Sequence, residues 1–295
     1  MTWYAALGAL EQGLVYGIMA IGVYLTFRIL DFPDLTVDGS LPLGASITAL
    51  ALTSGINPFM ALLLAGFGGF LAGTVTAILN TKLKVLHLLA SILTMIALYS
   101  INIRIMDGPN ISLLATETVF DPLINLGVPG HLASTVFFIA FAALIVVLVI
   151  WFLFTEIGLS LLATGDNPQM ITAQGVNTHT IIILGVGLSN ALVALAGSLI
   201  AQNQGAADVN MGVGTIVAGL ASVIVGETVF GDKTIPRAII AVLVGSVIYR
   251  LAIALALGVE MGKFSVSPSD LNLITALLVI IALTAPTIKK KLKKV

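Results

Sequence analysis

The sequence predicts an all-α polytopic membrane protein, and three observations carry that reading. Hydrophobic residues make up 58% of the chain and charged residues 9%, with a mean hydropathy of +1.12, so polar surface is too scarce to enclose a soluble core of this size. No Asp, Glu, Lys or Arg occurs between Asp38 and Lys82, between Asp121 and Glu156, or between Asp166 and Asp208. Gaps of that length accommodate spanning helices of about 20 residues. The runs are apolar on every face, whereas a closed β-barrel needs strict alternation.

Apolar segments fall near residues 10–30, 41–54, 57–80, 85–104, 132–154, 180–202, 211–229, 235–258 and 271–287, which predicts eight or nine membrane segments. The start, Met1-Thr2-Trp3-Tyr4, lacks the basic region of a cleaved signal peptide, so the first run is expected to stay as a span. The second run, 41–54, is short and contains Pro42 and Gly44, which predicts a broken or re-entrant helix. The polar stretch 107–130 carries Asp107, Glu117, Asp121 and the turn signals Gly108-Pro109, Asp121-Pro122 and Val128-Pro129-Gly130, and reads as either a solvated linker or a docking surface. No linker rich in Ser, Gly or Pro divides the chain, so residues 1–295 are expected to form one transmembrane domain.

Between the fifth and sixth runs lies Ala163-Thr164-Gly165-Asp166-Asn167-Pro168-Gln169-Met170-Ile171-Thr172-Ala173-Gln174-Gly175-Val176-Asn177-Thr178. Asp166 or Asn167 can accept from the first free backbone N–H groups, Pro168 suits the first helical position, and Gly175 can take the left-handed turn that ends a helix. A short helix outside the lipid is expected here, presented to a partner. Orientation follows from Lys289, Lys290, Lys291, Lys293 and Lys294, which should hold the C terminus in the cytoplasm. Counting back puts 258–270 outside, 227–237 inside, 202–210 outside, 155–179 inside, 106–131 outside, and 80–87, with Lys82 and Lys84, inside.

Candidate pathway residues are polar groups beside membrane segments, where an unpaired charge is costly and usually faces water or a partner. Asp31-Phe32-Pro33-Asp34-Leu35-Thr36-Val37-Asp38-Gly39-Ser40 supplies three carboxylates. Asp38 or Ser40 either caps the following helix or faces a pathway, and Asp34 lies further from any obvious cap. Asn203, Asp208 and Asn210, with Gln202 and Gln204, interrupt the later pattern in the same way and read either as pathway groups or as loop residues. Asp208-Val209-Asn210-Met211-Gly212 faintly echoes Asp34 to Gly39, as internal repeats in transporters do. Gly13 with Gly17 and Gly69 with Gly73 have the spacing that allows close helix approach.

Several functions are excluded. A net charge of −1 makes no electrostatic case for nucleic acid. Without cysteine there are no disulfides or thiolate metal sites, and His87, His131 and His179 are too scattered to form a metal centre. No catalytic constellation and no Gly-x-x-x-x-Gly-Lys-Ser/Thr phosphate loop occurs, so ATP-driven work would need another subunit.

Gly158-Leu159-Ser160-Leu161-Leu162-Ala163-Thr164-Gly165-Asp166-Asn167-Pro168 through Gly175-Val176-Asn177 resembles the coupling segment of permease subunits of bacterial ABC importers, in the branched-chain amino acid and ribose permease class. Val225-Gly226-Glu227-Thr228-Val229-Phe230-Gly231 resembles the later Gly-containing turn of that class, and Gly13-Leu14-Val15-Tyr16-Gly17 to Leu43-Gly44-Ala45 also fits it. Phe27-Arg28-Ile29-Leu30 followed by Asp31 to Ser40 resembles the tryptophan and aromatic amino acid uptake branch. Ser160 and Leu162 stand where relatives often carry arginines.

The resemblance implies a membrane-spanning permease that moves a small solute, an amino acid and, by the branch it resembles, an aromatic one, received from an external substrate-binding protein. It implies two ABC ATPase subunits, which would hold ATP and Mg, a second permease copy as a homodimer, and the bacterial plasma membrane as location. Asp166, Asn167, Pro168, Gln169, Met170, Ile171 and Gly175 would couple to the ATPase, and contacts at Met170 and Ile171 would replace the missing basic charge. Asp34, Asp38, Asn203, Asp208 and Asn210 are the pathway candidates. The alternative class is an ion-gradient-driven secondary transporter or channel using Asp34, Asp38 and Asp208.

Overall fold

A computed structural model of the protein describes residues 3–257 apart from Ala115 and Asp232, with the backbone alone at Trp3, His131 and Leu257. The expected run 271–287, the loop 258–270 and the lysine tail lie outside the described residues. Helices dominate: α1 (Trp3–Tyr24, continued by a π-helical turn Leu25–Ile29), α2 (Val37–Thr53), α3 (Pro58–Thr81), α4 (His87–Met106), the short α5 (Asp121–Asn125), α6 (Gly130–Leu153), α7 (Glu156–Asp166), α8 (Pro168–Ala173), α9 (Thr178–Gln204), α10 (Thr215–Phe230) and α11 (Ile235–Leu257). Seven helical stretches among the described residues, Tyr4–Ile29, Pro58–Thr81, His87–Met106, Leu132–Leu153, Thr178–Gln204, Val209–Phe230 and Ile235–Ala256, are long and apolar enough to cross a membrane. The protein is therefore a multi-pass membrane protein.

Helix α9 is the axis of the bundle, packed along α1, α2 and α3. Small residues permit this closeness: a methyl group on Gly69 or Gly73 would collide with the α9 carbonyl oxygens of Asn190 or Val186, and one on Gly44 with that of Ala194. Gly13 and Gly17 face Val247 and Leu243 of α11 in the same way. The core formed around α1 and α9 includes Ile18, Ile21, Leu25, Leu41, Phe138, Leu161 and Leu199.

The bundle has two distinct ends. One carries α7, α8 and the α3–α4 connection, where Pro168, Thr178 and His179 line a shared hollow with Asn80, Lys84 and His87, and where Phe32 stacks at a tilt on His87, 4.7 Å between ring centroids. The other carries an antiparallel strand pair, β1 (Asn110–Ser112) with β2 (Ala206–Asp208), in the register Asn110↔Asp208. Beneath these strands Ala45, Ala49, Leu52, Ala61, Met106, Ala201 and Val209 form a second apolar cluster. Gln202 ties the 107–130 segment down by accepting the Val119 N–H at 2.9 Å.

Three expectations are corrected. Of the two readings of 41–54, broken or re-entrant, the first is corrected: the segment is an unbroken helix of 17 residues that begins at Val37 and passes through Pro42. Pro42 has no N–H for the Asp38 carbonyl one turn earlier, and that carbonyl lies against Gly212 of another element, where any side chain would collide with it. The discontinuity falls instead in the run expected at 211–229, where a 3₁₀ turn (Val209–Gly212) and a left-handed Gly214 (φ 76°) precede α10. The stretch 155–179 holds, besides the expected short helix, the longer α7, capped by Thr155, whose hydroxyl accepts the Gly158 N–H at 3.3 Å. Finally, Val225 to Phe230, expected as a turn, is the end of α10, and only Gly231 (φ 77°) makes the turn.

Candidate functional site

Two places in the bundle gather the polar residues that the sequence singled out. The first is the α7–α8 end. Asn167 caps α8, its side-chain oxygen accepting the Met170 N–H at 3.0 Å, while Asp166 closes α7. Gly175 has φ 89°, a left-handed conformation that glycine adopts without strain, and Asn177 caps α9 through the His179 and Thr180 N–H groups at 3.1 and 3.4 Å. Asp166, Asn167, Pro168, Gln169, Met170 and Gly175 are exposed. Ile171 is buried and anchors α8 to its own bundle, whereas Met170 faces outward.

This end is mechanically connected to the rest. Leu161 of α7 is fully buried and, with Leu30, lies over Gly185 of α9. Gly165 abuts the Ile29 carbonyl at the end of the π-helical turn, and a methyl group there would collide with it. One residue earlier, Arg28 Nε donates to Glu227 Oε1 of α10 at 2.9 Å. Thus α7, the end of α1 and the end of α10 touch in sequence.

The second place is at the N-termini of α2 and α10. Asp34 is fully buried, and both of its oxygens are engaged: Oδ1 accepts the Thr36 N–H at 2.9 Å and Oδ2 accepts from Asn190 Nδ2 at 2.7 Å. Asn190 Oδ1 in turn accepts from Ser40 Oγ at 2.6 Å, and the hydroxyls of Thr36 and Thr76 pair at 2.8 Å. These bonds clamp α2, α3 and α9 together. Neither Asp38 nor Ser40 caps α2, which corrects that expectation. Asp38 caps α10 instead: Oδ1 accepts from the Ile216 N–H at 2.8 Å and the Thr215 hydroxyl at 3.0 Å, and Oδ2 from the Gly214 N–H at 3.2 Å.

Asp38 also lines a cavity of about 370 Å³ with Gly39, Pro42, Met95, Ile96, Tyr99, Asn102, Val209 and Val213. Asn203, Asp208 and Asn210 are not brought to it. Asp208 caps the 3₁₀ turn through the Asn210 N–H at 2.7 Å, and Asn203 and Asn210 are exposed at the strand end. Sequence reasoning missed Asn190 and Asn102, although each is an isolated amide within a long apolar helix, a signal that usually marks interhelical hydrogen bonding. Among the described residues no group of three His, Asp or Glu side chains is placed to hold a metal.

The family described as branched-chain amino acid transport system / permease component matches residues 5–284. A tyrosine transport system permease protein from Clostridioides difficile (strain R20291) is 44% identical over 288 residues, 98% of this chain and 93% of that protein. The ribose import permease protein RbsC of Bacillus subtilis (strain 168) is 26% identical, over 75% of this chain and 68% of that protein. Among solved structures, PsaBC from Streptococcus pneumoniae in complex with Fab contains a chain with TM-score 0.54 and 18% identity, covering 96% of this chain and 91% of that one. An inward-facing ABC transporter described as metal-chelate type gives TM-score 0.53 at 15% identity, covering 97% and 85%. At these identities the structural likeness concerns the fold alone.

Proposed function

Because the chain belongs to the branched-chain amino acid transport system permease family, a family of ABC importer permeases, we propose that it carries an amino acid, and specifically an aromatic one, across the bacterial plasma membrane. The solute is delivered by an external substrate-binding protein, and the work is done by partner ATPase subunits that hold ATP and Mg. Two permease copies form a homodimer, each a single domain of eight or nine membrane segments with the C terminus in the cytoplasm. The relative from Clostridioides difficile, a tyrosine transport system permease at 44% identity, supports the aromatic assignment.

The observation that carries the coupling role is the capped, exposed α8 following α7, which is seated in the bundle through Gly158, Leu161 and Thr164. Residues 166–175 are the ATPase contact. Motion of α8 passes through α7 to the Gly165–Ile29 contact, then through the Arg28–Glu227 ion pair to α10. The first N–H groups of α10 are held by Asp38 at the cavity. Rocking driven by the ATPase at one end would therefore alter the cavity at the other end of α10.

The coupling role is tested by replacing Asp166 and Gly175 separately with Ala in the reconstituted complex and measuring substrate-stimulated ATP hydrolysis. Gly175→Ala strains a left-handed position by about 1 kcal/mol and is expected to lower stimulation several-fold while the basal rate of the ATPase persists. Stimulation equal to wild type in both variants would remove 166–175 from the coupling path.

A further inference from the structure

The cavity between the start of α2, the middle of α4 and the 209–213 turn has a chemical sign. Its lining contains a carboxylate, Asp38, and among the described residues no Lys, Arg or His. A helix N-terminus ordinarily favours an anion. Here that preference is cancelled, because Asp38 already accepts from the Gly214 and Ile216 N–H groups at the start of α10.

A second group in the same wall points to the same ligand chemistry. Asn102 is fully buried, its Nδ2 donates to the Gly39 carbonyl at 3.2 Å, and its Oδ1 has no hydrogen-bond partner. A buried acceptor without a donor is costly unless something supplies one. The remaining walls are apolar, from Pro42, Met95, Ile96, Val209 and Val213, with the half-exposed ring of Tyr99 beside them.

We propose that this cavity is a transit site for the α-ammonium group of an amino acid, which donates to Asn102 Oδ1 beside the Asp38 carboxylate while the solute's apolar or aromatic side chain lies against Met95, Ile96 and Tyr99. The volume, about 370 Å³, is at the small end of ligand pockets and suits one amino acid. The proposal rests on the amino acid import reading and names the residues that would distinguish an amino acid from other small solutes. Asn102 then has two roles, an N–H that positions α4 on α2 and an oxygen that meets the cargo.

The test uses the purified permease–ATPase complex without its binding protein, probed by saturation-transfer NMR with L-tyrosine, with tyramine, which lacks the carboxylate, and with 3-(4-hydroxyphenyl)propionate, which lacks the ammonium. Tyrosine and tyramine are expected to bind and the propionate is not. Asn102→Leu should weaken tyramine roughly ten-fold, the scale of one hydrogen bond to a charged group. Asn102→Asp keeps an acceptor while losing the Gly39 contact, and should bind tyramine at least as well as wild type. Equal binding of tyramine and the propionate would overturn the proposal, as would Asn102→Asp losing tyramine as fully as Asn102→Leu, since Asn102 would then act only through Gly39. ATP-driven uptake of tyrosine is measured in parallel on the complete complex. Uptake without binding by the permease overturns the site alone, whereas absence of uptake of any amino acid overturns the import reading beneath it.

Discussion

At position 165 any side chain larger than hydrogen meets the backbone of α1. A methyl group would strike the Ile29 carbonyl oxygen and lie 2.8 Å from the Ile29 carbonyl carbon and 3.0 Å from Leu30 Cα. Two effects compete in Gly165→Ala. Removing a glycine from α7 favours the helix by up to about 1 kcal/mol, while overpacking against rigid backbone costs about 1–3 kcal/mol. The second is expected to win, because the obstructing atoms are main chain and cannot rotate away. Gly165→Val should enlarge the loss, read as a lower thermal midpoint of the purified permease, and midpoints equal to wild type for both would show that α7 is not seated on α1 at this point. Local punctuation around this residue was legible in the sequence: Asn167, Pro168 and Gly175 cap, start and end α8 as their chemistry requires. The inward turn of Ile171 was not legible, since a two-turn polar segment has no hydrophobic period from which to choose a face.

Among elements, α2 and α10 show why the acidic cluster resisted a reading from sequence. Asp38 sits in the first turn of α2, where a carboxylate ordinarily serves its own helix, yet its three hydrogen-bond donors all come from residues 214–216. A cap supplied across 176 to 178 residues of chain leaves no local signature. Asp38→Ala leaves the α10 N–H groups without an acceptor and is expected to destabilise the permease by about 1 kcal/mol, up to about 2. Asp38→Asn keeps one acceptor oxygen and should cost less. Limited proteolysis at the 209–214 turn would report both, with Ala cleaved faster than Asn and Asn faster than wild type. Equal rates for the two variants would contradict the cap. The helices themselves were legible because long charge-free gaps require spans, but the start of α2 four residues earlier than expected was not, because Asp38 and Pro42 look like breakers until their partners are known.

For the whole molecule, the proposed topology puts α8 inside and the β1–β2 pair outside. The chain contains no cysteine, which makes it a ready background for labelling. Gln169→Cys should react with a membrane-impermeant thiol reagent only in inverted vesicles, and Glu117→Cys only in intact cells. Labelling of both from one side would overturn the topology. The family and its broad function were legible from the order of motifs along most of the chain, whereas the Asp34–Asn190–Ser40 clamp and the Asn102 cavity emerge only when distant helices meet. The most direct measurement is uptake of labelled L-tyrosine into proteoliposomes, comparing the permease reconstituted with its ATPase, binding protein and ATP against the permease alone under a sodium or proton gradient. ATP-dependent uptake by the complete complex and none by the lone permease is the expected result, and gradient-driven uptake by the lone permease would contradict it.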